Sequence, residues 1–244
     1  CYFLLFSWFT FIKNLRMKIR ELQLFTTNLE KTKSFYTDIL SFQLIKKTSN
    51  QFSIQIGWTT LTFVQSEEEH IYHFSFLVDK SIFENAFEWM KNRVEILQTK
   101  NEEQIAFFEN WNARSFYFYD GGNNLAEIIT HYNLDYQSDA EFDQNSILGI
   151  SEIGLPTTDI KSINQIIEEN TTSKFWKGDF ETFGTNGSDE GKILLPNYAI
   201  KTTWFPTTNK IIPTPFTVIL ENDNQYSKAI FDNNKLNISN LAIL

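Results

Sequence analysis

The stretch FYFYDGGNNLAEII, residues 116–129, reads as two strands around a tight turn. Phe116 to Tyr119 and Ile128–Ile129 favour a pleated, half-buried surface. Gly121, Gly122 and Asn123 supply the backbone freedom of a short turn. Glu127 is the anomaly, because its neighbours Leu125, Ala126, Ile128 and Ile129 are all apolar. A buried carboxylate must be paired, hydrogen-bonded or bound to a metal.

Upstream of this hairpin the chain repeats a pattern. Residues 19–26, IRELQLFT, alternate, with Ile19, Glu21, Gln23 and Phe25 on one face and Arg20, Leu22, Leu24 and Thr26 on the other. Residues 28–40 have helical spacing, with Asn28 as N-cap. Three short strands follow within 42–65, broken near Ser49–Asn50 and at Gly57. The βαβββ order then recurs: a strand at 70–78, a helix at 81–93 capped by Ser81, and strands at 94–99, 104–109, 115–120 and 125–130.

A third copy begins at 150. IRELQLFTTNL (19–29) and ISEIGLPTTDI (150–160) align without a gap, and Ile, Glu, Leu, Thr and Thr coincide. Glu152 thus matches Glu21. Strands are expected near 174–184, 191–200 and 214–221, with no fourth copy to partner them. Residues 133–146 are acidic and polar and mark a boundary. The expected organisation is a two-module domain over 17–132, a third βαβββ-like module over 147–221 and a polar tail over 222–244.

Residues 1–16, CYFLLFSWFTFIKNLR, differ from the rest. Their apolar run is shorter than the roughly 20 residues that span a bilayer, and it lacks a preceding basic region. Upstream translation is the preferred reading, with the end of a membrane anchor as the alternative. The chain of 244 residues is 42% hydrophobic with 24 Phe, enough for a sizeable core. Its net charge of −9 argues against nucleic acid and against an anionic membrane surface. A single Cys excludes an internal disulfide and a Cys-based zinc site, and fits a cytoplasmic setting.

Three of these stretches resemble the vicinal-oxygen-chelate superfamily of glyoxalase I, extradiol dioxygenases and bleomycin-resistance proteins. ELQLFTTNLEKTKSFYTDIL resembles its opening strand and helix, HFSFLV its fifth strand, and FYFYDGGNNLAEII its last hairpin. Gly121 stands where that hairpin usually has Pro, and Asn123 where it usually has Gly. The resemblance implies an α+β fold of paired βαβββ modules forming a concave, U-shaped sheet with helices outside.

It also implies divalent-metal ligands on the first, fifth and eighth strands, which fall on Glu21, His73 and Glu127. One imidazole and two carboxylates suit Mn, Fe(II), Ni, Co or Zn. The glyoxalase I likeness implies a fourth ligand where Thr62 stands, and Thr is a poor ligand. Glu21 is also the candidate catalytic base. Gln23, Thr62, Ser75 and Tyr117 are candidate substrate-binding residues, and Phe25, Trp58 and Tyr119 candidate pocket walls. Each has a plainer reading: His73 as a hydrogen-bonded interior histidine, Glu127 as a solvated strand residue, and Glu21, like Glu152, as an inherited residue with a local hydrogen bond.

The expected function is a metal-dependent enzyme acting on a small organic molecule through neighbouring oxygens, as a lyase, isomerase or dioxygenase. The alternative is a metal-free protein that binds or sequesters a small molecule. The third module, if unpaired, leaves a sheet edge through which a homodimer is expected to form.

Overall fold

The computed structural model describes residues 16–99, 102–138 and 141–242; the segment 1–16 set apart above lies, Arg16 excepted, outside them. The fold class is α+β, and the βαβββ order holds three times. The first module comprises β1 (Met17–Thr26), α1 (Leu29–Ser34), β2 (Gln43–Lys47), β3 (Gln51–Ile56) and β4 (Thr59–Gln65). The second comprises β5 (His73–Leu77), α2 (Phe83–Lys91), β6 (Ala106–Phe108), β7 (Ala113–Tyr119) and β8 (Leu125–His131). The third comprises β9 (Gly149–Gly154), α3 (Ile160–Asn170), β10 (Phe175–Gly178), β11 (Phe183–Gly187) and β12 (Lys192–Pro196).

Local chemistry accounts for the boundaries. Asn28 caps α1 by accepting from Lys31 N, and Asp159 caps α3 by accepting from Ser162 N. A π-helical turn, Phe35–Ile39, extends α1 and buries Phe35 and Tyr36. Before α2 the cap is Asp79, not Ser81: its side chain accepts from Ser81 N and starts a short 3-10 turn. The strand expected over 94–99 does not form there.

A tail was expected over 222–244; its residues 222–241 instead help complete a sheet. β13 (Phe216–Asn222), β14 (Gln225–Asp232) and β15 (Lys235–Leu241) form an antiparallel meander. Its two turns are two-residue loops, Asp223–Asn224 and Asn233–Asn234, with all four residues at positive φ. Asn and Asp tolerate that conformation, and it matches the twist of the flanking strands.

The strands form two sheets, and their order decides where the site lies. The seven-stranded sheet runs β15-β14-β13-β1-β4-β3-β2, and the eight-stranded sheet runs β10-β11-β12-β9-β5-β8-β7-β6. The first module therefore pairs with the C-terminal meander, through β1 and β13. The second pairs with the third, through antiparallel β5 and β9. The third module is thus not left without a partner. The alternative pairing could not be read from the sequence, because both arrangements satisfy the same strand periodicity.

One core joins the two sheets and the three helices. Phe52 and Phe63 of the first sheet lie in it with Phe74, Phe76, Phe116 and Phe118 of the second. In the second sheet, the period of two sends Phe74, Phe76, Phe116, Phe118, Ala126 and Ile128 into that core. It sends His73, Tyr117, Leu125, Glu127 and Ile129 to the opposite face. Among the described residues no helix is long and apolar enough to cross a membrane.

Candidate metal centre

His73 opens β5, Glu127 is central in β8 and Glu152 is central in β9. β5 lies between the other two strands. The register sets Ser75 opposite Glu127 on one side and opposite Glu152 on the other. The two carboxylates therefore flank β5 at one level, with His73 two residues along the same face. One ligand atom from each of His73, Glu127 and Glu152 lies within 4.8 Å of the others, and all three residues are buried.

His73 Nδ1 stands 3.0 Å from the Leu125 carbonyl oxygen. A proton on Nδ1 donates to that oxygen and leaves the Nε2 lone pair facing Glu127 Oε2 at 3.4 Å. Burial holds the His73 pKa below the ordinary imidazole value, so the ring is neutral, as a metal ligand requires. Burial, and then the Glu152 charge, push the Glu127 pKa well above the usual carboxylate range. Without a cation, two neighbouring buried carboxylates resist joint ionisation.

Lys192 supports Glu152 from the next strand. The register pairs the two residues directly, and Lys192 Nζ donates to Glu152 Oε1 at 3.1 Å. The same Nζ lies 2.9 Å from His131 Nε2, and His131 Nδ1 lies 3.2 Å from Asp189 Oδ1. Lys192 is fully buried, and the Trp176 and Trp111 rings lie 4.9 and 5.5 Å from its ammonium.

A cavity of about 250 Å³ opens over His73, Glu127 and Glu152. Tyr117 and Trp204 flank His73, their ring centroids 6.2 and 4.8 Å from the imidazole. Phe108, Trp111, Phe183 and Phe205 continue the wall, and Lys201 lines it. Trp204, Phe205 and Lys201 come from the segment between β12 and β13. Gly154 admits Trp204: a Cβ there would meet the indole at 2.7 Å.

The donor set fits a divalent ion. One neutral imidazole and two carboxylates form a buried nitrogen-and-oxygen set that suits Mn, Fe(II), Co, Ni or Zn, and two negative charges balance a double positive one.

The structure places the residues expected from sequence as follows. His73 and Glu127 come together, and Tyr117 joins them on the cavity wall. Glu21 does not: it is exposed in the other sheet, between Thr60 and Ile219. A register shift beside Arg20 turns Ile19 inward with Leu22 and leaves Glu21 outside. Gln23 and Thr62 also belong to that sheet, and Thr62 bonds Ser53 at 2.8 Å. Ser75 lies between the carboxylates in the strand order, but its Oγ is bonded to Ser151 Oγ at 2.9 Å. Phe25 lines a separate groove of the first sheet, and Trp58 packs against the small cluster of Leu77, Ala113 and Ile129. The third member of the cluster is Glu152, not Glu21. Its signal was its identity with Glu21 across the repeat. Lys192, Lys201, Trp204 and Phe205 carried no signal.

Residues 18–128 match the model of the Glyoxalase/Bleomycin resistance protein/Dioxygenase superfamily. This part of the chain belongs to that superfamily. The match ends just past Glu127, so Glu152 lies beyond the matched superfamily residues. No curated protein matches the chain. Among solved structures, a putative dioxygenase from Bacillus subtilis subsp. subtilis str. 168 is similar over 92% of this chain and 85% of its own, at TM-score 0.60 and 13% identity. At that identity the likeness shows the fold alone. Lactoylglutathione lyase from Agrobacterium tumefaciens is similar over 48% of this chain and 96% of its own, at TM-score 0.41 and 17% identity. A genomically encoded fosfomycin resistance protein from Listeria monocytogenes is similar over 44% of this chain and 88% of its own, at TM-score 0.36 and 21% identity.

Proposed function

We propose that this chain is a metal-dependent enzyme that acts on a small organic molecule through two neighbouring oxygens. The observation that carries the reading is the convergence of His73, Glu127 and Glu152 at the floor of an aromatic-walled cavity. A divalent ion bound there would supply Lewis acidity toward the substrate oxygens.

The chain's own residues prepare that chemistry. The Leu125 carbonyl fixes the His73 tautomer, and Lys192 fixes one oxygen of Glu152. Burial, and then the Glu127 charge, push the Tyr117 pKa well above its ordinary value. Tyr117 therefore keeps its proton near neutrality and acts as a donor at the cavity wall, not as a base. The aromatic walls limit water around the reacting oxygens. Glu21 is too remote in the fold for the base role that the sequence suggested. A substrate-side group or the unengaged oxygen of a cavity carboxylate takes that role.

Titration of the metal-stripped protein with Co(II), followed by visible absorbance and by calorimetry, tests this reading. Saturable binding with a ligand-field spectrum, abolished in Glu152→Ala, supports it. No binding of Co(II), Mn(II) or Zn(II) would remove it. The alternative of a metal-free binding protein, favoured by the six aromatic side chains around the cavity, would then stand.

A further inference from the structure

We propose that His131 and Asp189 are positioning residues of the metal centre: Asp189 orients the His131 imidazole, the imidazole holds the Lys192 ammonium, and the ammonium sets the Glu152 carboxylate. The inference rests on the metal-centre reading above and extends it to two residues that do not line the cavity.

His131 closes β8, on the face of Glu127 but four residues further on. That is about 13 Å along a strand, too far for both side chains to bind one ion. The ring is nonetheless buried and held on two sides. Trp111 stacks on it with 6.5 Å between centroids, and Trp176 meets it edge-on at 5.9 Å.

The neighbours fix the tautomer. The Lys192 ammonium only donates, so at 2.9 Å His131 Nε2 is the acceptor. The ring proton then sits on Nδ1, which faces Asp189 Oδ1 at 3.2 Å. Burial, and then the Lys192 charge, hold the His131 pKa well below the ordinary imidazole value, and Lys177 acts in the same direction. The ring is therefore neutral, and Nε2 stays free to accept.

A fully buried ammonium is costly unless it is paired and hydrogen-bonded. Lys192 spends one N–H on Glu152 Oε1 at 3.1 Å and another on His131 Nε2. Two anchors fix the direction from which the carboxylate is held, and the other Glu152 oxygen is left for an ion. Without His131 the ammonium keeps one anchor and swings with Glu152.

Asp189 is itself held by the turn between β11 and β12. Ser188 N donates to the Gly191 carbonyl at 2.7 Å, and Met17 N donates to Ser188 Oγ at 3.0 Å. Lys18 Nζ lies 3.6 Å from Glu190 Oε1. Gly191 approaches β1 so closely that a Cβ there would meet the Met17 carbonyl oxygen at 2.6 Å. The first module, which supplies no member of the cluster, thus anchors the far end of the array.

The test is a double-mutant cycle on full-length, metal-stripped proteins titrated with Co(II). Calorimetry reads affinity, and visible absorbance reads the ligand field. His131→Leu is expected to weaken Co(II) binding about tenfold and to shift the ligand-field bands of the saturated protein. His131→Gln, whose carbonyl can accept from Lys192, should recover most of the affinity. In the Lys192→Met background, His131→Leu should cost nothing more, because His131 acts through the ammonium. Asp189→Leu, at a half-buried position, should weaken binding by a smaller factor, and it carries the test where His131→Leu does not fold. Wild-type affinity and spectrum in His131→Leu or in Asp189→Leu would overturn the proposal. So would equal losses from His131→Leu with and without Lys192. In those cases the metal-centre reading stands alone. If the wild-type protein binds no Co(II), both fall together.

Discussion

Glu127 answers for an acid in the middle of an apolar strand. It lies on the odd-numbered face of β8, away from the core that takes Ala126 and Ile128, and it meets Glu152 and His73 there. Its raised pKa, set by burial and then by Glu152, has a measurable consequence. In the metal-free protein the folded state keeps a proton that the unfolded chain releases. Stability is therefore fully present at low pH and declines as pH rises from the ordinary carboxylate range toward the raised value. Metal binding must expel that proton, so metal affinity rises with pH over the same window. Thermal melts across pH, with and without Zn(II), should show the metal-induced gain in Tm growing with pH; a gain independent of pH would contradict the assignment. Lys192 tests the site from behind. Lys192→Met removes the donor to Glu152 Oε1 and is expected to weaken metal binding by about 10–100-fold. Calorimetry reads this directly, and unchanged affinity would mean that Glu152 does not need the ammonium.

At the scale of elements, the βαβββ units were legible because each carries its own signals. Asn28 marked the start of α1, Gly57 the turn between β3 and β4, and Gly121 to Asn123 the turn between β7 and β8. The strand near 214–221 was expected and is β13, but β14 and β15 were missed because the two turns of the meander contain no glycine. Asp223–Asn224 and Asn233–Asn234 do the same work with side chains that tolerate positive φ, and the flanking strands look polar because half their residues face solvent. Pro206, Pro213 and Pro215 gave no warning that the segment around them supplies a cavity wall. Gly154, near the end of β9, is the element's link to that segment. Gly154→Ala would drive its methyl against the Trp204 indole, which has to move off His73. The expected result is a shifted tryptophan fluorescence spectrum while metal binding remains. An unaltered spectrum would show that Trp204 does not pack on Gly154.

For the whole molecule, the decisive fact is which modules share a sheet. Sequence order suggests that the first and second modules cooperate, and the superfamily match spans those two. The fold instead joins the second to the third and closes the first with the C-terminal meander. His73 and Glu127 were legible because both lie in one module, whose motifs fix their strands. The third ligand was not, because the choice between Glu21 and Glu152 depends on pairing across long loops, which strand periodicity cannot decide. The meander is integral to this arrangement: Phe216, Val218, Leu220, Ala229 and Phe231 are buried in the common core. A stop codon after residue 212 would expose that surface and the free edge of β1. It is expected to lower Tm sharply and cause aggregation, visible by calorimetry and light scattering. A truncated chain that melts like the full-length protein would refute an integral role.

If the second and third modules, not the first and second, build the metal centre, metal content must follow Glu152 and not Glu21. Elemental analysis of purified wild-type, Glu21→Ala and Glu152→Ala proteins, reconstituted side by side, tests it most directly. About one divalent transition metal per chain is expected in the wild-type and Glu21→Ala proteins and none in Glu152→Ala. Metal lost in Glu21→Ala and kept in Glu152→Ala would contradict it.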